Sequence, residues 1–222
     1  MRPLHLLALS LILLPAIPLQ ADPADDAEAL VRASYFEGMP HEAVAALPPA
    51  ACPRLAALLA DPEAAAAHAN VIEALGILAC PGAYEAIAGY ADRAGHGEVD
   101  RTTFRALRTC PSAMGQLAAR DDRALAWLAD RAGEPGEAAR TAGWSFRQQR
   151  GARLAADERR RAMDGLALSG RPQAAARLEA LAGSGDPAVR ARAETSLELL
   201  DTVRREGRIR ALDGRTLPGA GR

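Results

Sequence analysis

The 222-residue chain contains no lysine; its 27 basic side chains are all arginine. A Walker-type phosphate loop, a Schiff base and a lysine nucleophile are thereby excluded, because a guanidinium stays protonated and is a poor nucleophile. Aromatic residues make up only 4%, so the side chains that favour strands are scarce. Of the four histidines, no two have the i,i+4 spacing that places a pair of imidazoles on one helix face. No Gly-x-Ser-x-Gly elbow offers an anchor for hydrolase chemistry. Beyond Ala21 no apolar run is long enough to span a bilayer.

What the sequence does have is alanine, at 53 positions. Strong helix formers dominate, and the expectation is an all-α chain. Met1-Arg2 is followed by an apolar run from Leu4 to Leu19, interrupted by Pro15 and Pro18, and then by Leu19-Gln20-Ala21 before Asp22. This pattern is similar to a secretory signal peptide, 1–21, and is too short and too proline-broken for a comfortable membrane span. No cysteine follows it, so a lipid anchor is not expected. The remaining chain is expected in a periplasm or outside the cell, as a helical domain over 22–207 and a flexible, glycine-rich tail over 208–222.

Charge is balanced overall but segregated along the chain. Residues 22–100 hold 13 acids and 3 arginines, a net of −10, whereas residues 101–222 hold 23 arginines and 15 acids, a net of +8. The bland interpretation is solvated helix faces that partly compensate one another; the functional one is two ends that steer different partners. Nucleic-acid binding is not expected of an exported chain with near-zero net charge.

Aligning the chain with itself suggests a repeat near thirty residues. Cys52-Pro53, Cys80-Pro81 and Cys110-Pro111 are spaced by 28 and 30 residues. The stretch Ala74 to Ile87 aligns with Gly165 to Leu178, and the 61 residues from Pro111 to Pro172 leave space for one degenerate copy around Gly143. Each copy should be two helices, with the proline at the start of the second, where its missing donor costs nothing. Aspartates recur after the second helix, at Asp61, Asp92, Asp121-Asp122 and Asp186. Asp61-Pro62 and Asp186-Pro187 have the clearest form of a helix N-cap followed by proline. Leu55, Leu58 and Leu59, then Val71, Leu75 and Leu78, and later Leu178, Leu181, Val189, Leu197 and Leu200 follow helical spacing. One helix pair cannot bury both faces, so about five pairs should stack into a right-handed superhelix.

Asp186-Pro187-Ala188-Val189-Arg190-Ala191-Arg192-Ala193, with Leu178 to Ala182 before it, resembles a HEAT repeat of the short bilin-lyase-like type, and so does Asn70 to Gly76. The resemblance covers about 48–120 and 160–205. It implies an α-solenoid that binds a protein or peptide along its concave face. It carries no catalytic residue and no cofactor with it. Asp25 to Phe36 and His41 to Leu47 suggest an N-terminal helical cap, with Tyr35, Phe36 and Met39 closing the core.

Several small features have competing interpretations. Equivalent positions in stacked repeats lie about 10 Å apart, too far for a disulfide; free thiols are therefore expected, and if one bridge forms, Cys80 to Cys110 is the expected pair. His96-Gly97-Glu98-Val99-Asp100 offers three metal-ligand types, yet it suits a polar loop in which Glu98 or Asp100 starts the next helix. Gly183 to Ala188 fits the dinucleotide fingerprint only on paper, since no strand precedes it; an inter-helix turn capped by Asp186 fits better. Arg159-Arg160-Arg161 suits a solvated helix face. Trp127, Trp144 and Phe146 could anchor a partner, but large side chains filling an irregular joint between repeats are the preferred reading. The overall expectation is a non-enzymatic binding scaffold, with contacts sought at exposed polar residues of the second helices, Glu85, Gln116 and Arg177. The alternative is a cysteine-dependent enzyme or a cofactor-attachment factor of the bilin-lyase-like type.

Overall fold

A computed structural model describes residues 22–35, 38–133 and 143–216. The expected leader and Phe36 lie outside the described residues. Within them the chain is mostly helical: α1 (Pro23–Arg32), α2 (His41–Ala45), α3 (Cys52–Ala60), α4 (His68–Leu78), α5 (Ala83–Ala94), α6 (Arg101–Ala118), α7 (Asp122–Arg131), α8 (Ala152–Ser169), α9 (Pro172–Ala182), α10 (Pro187–Glu206) and α11 (Arg208–Thr216). Short 3-10 segments precede α3 and α4, and two-residue strands β1 (Gly97–Glu98) and β2 (Trp144–Ser145) form one parallel pair. No helix among the described residues is long and apolar enough to cross a membrane.

Aspartate starts many of these elements. Asp61 and Asp186 accept from the amides of Glu63 and Ala188 at 2.9 and 2.8 Å, each with a proline at the next position. Asp100 and Asp121 do the same for α6 and α7, at 2.7 and 2.9 Å. Each carboxylate satisfies an amide that has no intrahelical partner and lies at the positive end of the helix. Asp92 is an exception to the expected pattern. It lies inside the last turn of α5 and caps nothing.

The helices sort into two rows. α4, α6, α8 and α10 pack side by side as an inner row, and α3, α5, α7 and α9 alternate with them as an outer row, each packed on its sequence neighbours. Between the rows lies the core, built on Leu55, Ile72, Leu75, Met114, Leu128, Leu166 and Leu200. Glycine sets the spacing of the inner row. A Cβ on Gly76 of α4 would stand 2.7 Å from the Ala113 Cα of α6, and one on Gly115 of α6 would stand 2.5 Å from the Gly165 carbonyl of α8. These helices touch backbone to backbone.

The Cys-Pro spacing does not mark structurally equivalent positions. Cys52-Pro53 opens α3, Cys80-Pro81 lies in the turn before α5, and Cys110-Pro111 lies in the middle of α6. Gly76, Gly115 and Gly165, each near the end of an inner helix, instead mark where α4, α6 and α8 meet. The cysteine expectation fails for the same reason. Cys52 and Cys80 form a disulfide with a Cα separation of 5.6 Å, because α4 returns antiparallel to α3 and brings the turn after α4 beside the start of α3. Cys110 is left as a buried free thiol. Between Pro111 and Pro172, the stretch assigned to a degenerate copy, lie the end of α6 and the helices α7 and α8, with Gly143 between the last two. Residues 208–216, expected as part of a mobile tail, continue as α11, with Ala211 and Leu212 buried and the helix reaching α2 at the other end of the chain.

Candidate functional site

Outer helices α5 and α7 do not close over α6, and a cleft of about 650 Å³ opens between them. Leu107, Cys110 and Pro111 of α6 form its floor. Pro111 has no amide hydrogen, so the Leu107 carbonyl loses its normal intrahelical donor at this point. One end of the cleft is tied across by Arg123 of α7, which pairs with Glu85 of α5, bonds Asp121 at 2.8 Å and lies 4.7 Å from the Tyr84 ring centroid. The other end is closed by the β1–β2 ladder, in which the amides of Gly97 and Val99 donate to the carbonyls of Gly143 and Ser145 at 2.6 and 2.9 Å. Phe104 stacks on Phe146 with centroids 4.1 Å apart and meets Trp144 edge-on at 5.9 Å, which fixes the indole at the rim.

Two charges sit deep in this cleft. The Arg131 guanidinium lies 3.5 Å from the Trp127 ring centroid, a cation–π pair made possible by i,i+4 spacing on α7. The Trp144 indole N–H donates to Glu158 of α8 at 3.3 Å. Burial holds the Glu158 carboxyl above the usual carboxylate range, against the opposing pull of that hydrogen bond and of Arg131. Burial likewise lowers Arg131 from its ordinary value, while Glu158, Asp92 and Asp130 act in the other direction. Beneath them Cys110 donates its S–H to the Ala106 carbonyl at 3.4 Å, and burial pushes its thiol up to about 12. A thiol so perturbed is protonated at neutral pH and is no nucleophile.

The three expected contact residues are not brought together. Glu85 is exposed on α5, where Arg123 engages it. Arg177 is half-buried on α9, with its Nε lacking a hydrogen-bond partner. Gln116 corrects the expectation of an exposed residue on a second helix. It lies on the inner row and is buried, because the neighbouring Gly115 draws α6 against α8; its Nε2 has no partner. In the segment His96 to Asp100, His96 lines the cleft and Asp100 is engaged as the cap of α6. The arginine run is not simply a solvated face. Arg159 is buried and donates to the Gly133 carbonyl at 2.8 Å, while Arg160 and Arg161 pair with Asp157 at 2.9 and 3.0 Å. Gly183 to Asp186 forms the turn between α9 and α10, and Asp186 caps α10.

A second, smaller groove of about 350 Å³ runs along the inner row. Its charges satisfy one another: His41 meets Glu73 at 3.0 Å, Asp157 takes both Arg108 and Arg161, and Asp164 takes Arg192 and Ser196. Met39 and Leu212 also line it. The aromatic cleft between α5 and α7 is the larger of the two. No family model matches the chain, and no curated protein or solved structure matches it either.

Proposed function

We propose that the protein is an exported scaffold of the HEAT-like α-solenoid type that captures a peptide segment of a partner protein in the cleft between α5 and α7. The observation that carries this reading is the cleft itself, where Tyr84, Trp127 and Trp144 line one concavity over a helical floor. Rigid aromatic side chains contribute large contact area at low entropic cost, and they dominate the energetics of recognition. The two alternating helical rows support the solenoid assignment. The Cys52–Cys80 disulfide supports export, since such bonds persist in oxidising compartments. The same bond weighs against a cysteine-dependent enzyme, because two thiols are consumed and the third is buried and protonated.

The test is selection of peptides from a random library against the intact chain, followed by titration of the intrinsic tryptophan fluorescence. Trp127→Ala should weaken the selected binders by at least about tenfold, with Arg177→Ala, on α9 outside the cleft, as the control. Selected peptides that bind a folded Trp127→Ala variant as tightly as the parent would refute the placement.

A further inference from the structure

Resting on the reading of this cleft as a peptide site, we propose that its specificity is for a cationic side chain, the guanidinium or ammonium of a basic peptide. The arrangement of helix ends supplies the first reason. α5 and α7 run in the same direction, from the end tied by Arg123 to the end closed by the ladder, so both C-termini, at Ala94 and Arg131, face the same deep end. The carbonyls of a helix C-terminus carry a partial negative charge, and two of them here reinforce each other.

Formal charge supplies the second reason. Asp92 in the last turn of α5 and Glu158 of α8 line this end, and among the described residues that line the cleft the cation beside them is Arg131; His96 is close by. An anionic side chain entering here would lose its water next to two carboxylates and two helix ends. A cation would find partners already present. The molecule also shows this chemistry with its own side chains: Arg131 lies on Trp127 and Arg123 on Tyr84, so the aromatic walls already accept guanidinium groups. A basic peptide would place its charge toward Asp92 and Glu158 and its aliphatic stem along Trp127 and Trp144.

The experiment uses the full chain and three blocked tripeptides that differ only at the centre: Ala-Arg-Ala, Ala-citrulline-Ala and Ala-Glu-Ala. Each is titrated by calorimetry and by tryptophan fluorescence at low ionic strength. The arginine peptide should bind at least about tenfold more tightly than the citrulline peptide, and the glutamate peptide should bind worst. Glu158→Gln and Asp92→Asn should each reduce the arginine-to-citrulline ratio several-fold. Asp201→Asn, an exposed acid on α10, should leave it unchanged. Asp92 is exposed, so its variant keeps the test valid if Glu158→Gln fails to fold. Equal affinity for arginine and citrulline, or a preference for glutamate, with sensitivity to Trp127→Ala retained, overturns the cationic specificity while leaving the cleft as the site. Arginine selectivity that survives Trp127→Ala, Asp92→Asn and Glu158→Gln together places binding elsewhere and overturns both. Absence of binding by all three peptides, when library-selected peptides do bind in the cleft, also overturns the cationic specificity.

Discussion

Replacing Gly165 by alanine is the sharpest test of the way the inner row is packed. In an isolated helix the change is favourable by about 1 kcal/mol, because alanine loses less backbone entropy than glycine. In this fold the new methyl group would stand 2.4 Å from the Pro111 carbonyl oxygen and 2.6 Å from a Leu128 methyl, where ordinary contact begins near 3.4 Å. Leu128 can change rotamer, but a helix carbonyl cannot turn aside. α6 and α8 would therefore have to separate by about 1 Å along their line of contact, and a close-packed interior transmits that shift. Overpacking of this kind costs about 1 to 3 kcal/mol, and a backbone clash belongs at the upper end. The net expectation is a loss of about 1 to 2 kcal/mol, or about 2 to 8 °C in melting temperature for a chain of this size. Gly115 meets Gly165 directly, so Gly115→Ala added to Gly165→Ala should cost less than the sum of the two, the helices having already moved. Gly89→Ala on α5 is the control: its methyl would meet only the end of the flexible Arg93 side chain, at 3.1 Å, and should stabilise by a few tenths to about 1 kcal/mol. Urea denaturation of the parent and the four variants measures all of this. A Gly165→Ala variant as stable as the parent would show that the inner helices do not touch backbone to backbone.

Three further outcomes are expected. The unfolded chain should present one alkylatable thiol without reductant and three with it, and replacing both Cys52 and Cys80 by alanine should cost about 3.5 kcal/mol relative to the oxidised protein, the loop-closure value for their separation of 28 residues. Asp186→Ala should lower stability by about 1 kcal/mol through loss of the bond to the Ala188 amide, while Asp92→Ala, which removes no cap, should stay within about 0.5 kcal/mol. Burial raises the Tyr90 phenol from 10.0 to about 12 in the folded protein. The folded state therefore holds this proton more tightly than the unfolded state, the associated stability is complete below pH 10, and it is lost as the pH rises toward about 12. Denaturation midpoints measured across that window should fall less steeply for Tyr90→Phe than for the parent.

Composition and cap chemistry made the helical class and several helix starts legible, because an Asp-Pro pair encodes a local geometry that tertiary contacts need only accept. Asp61 and Asp186 show this directly. The places where the inner helices meet are hidden, because Cys-Pro pairs are conspicuous and glycines are not. A glycine in an Ala-rich helix looks like a weak point, and nothing local reveals that Gly76, Gly115 and Gly165 each face a neighbouring backbone. The cleft was half legible. Trp127 and Arg131 are one helical turn apart, a spacing that permits stacking, and their pairing could have been inferred from that alone. Trp144 and Glu158 meet only because the ladder between β1 and β2 carries Trp144 to the rim, a non-local contact that no sequence window contains. Arg159 looked like surface because neighbouring arginines usually are; its partner, the Gly133 carbonyl, belongs to the end of another helix.

The packing of the inner row and the existence of the cleft share an atom. Gly165 abuts the Pro111 carbonyl, and Pro111 is part of the cleft floor. Small residues hold α4, α6 and α8 at backbone contact, whereas α5 and α7 carry Tyr84, Trp127 and Arg131 and cannot approach as closely; the gap between the outer helices follows from the closeness of the inner ones. Gly165→Ala should therefore weaken peptide binding although residue 165 does not line the cleft, since any shift of α8 relative to α6 also moves Glu158 against Cys110 and Pro111. Gly76→Ala makes the useful comparison. Its methyl would press on the backbone of Ala113, between α4 and α6, and α4 contributes nothing to the cleft. It should destabilise the fold by a comparable amount and leave the affinity of the folded protein nearly intact. Affinities measured well below the melting temperature of both variants decide the point: equal losses of binding would mean that the cleft responds to stability in general, and the geometric link through Pro111 would have to be abandoned.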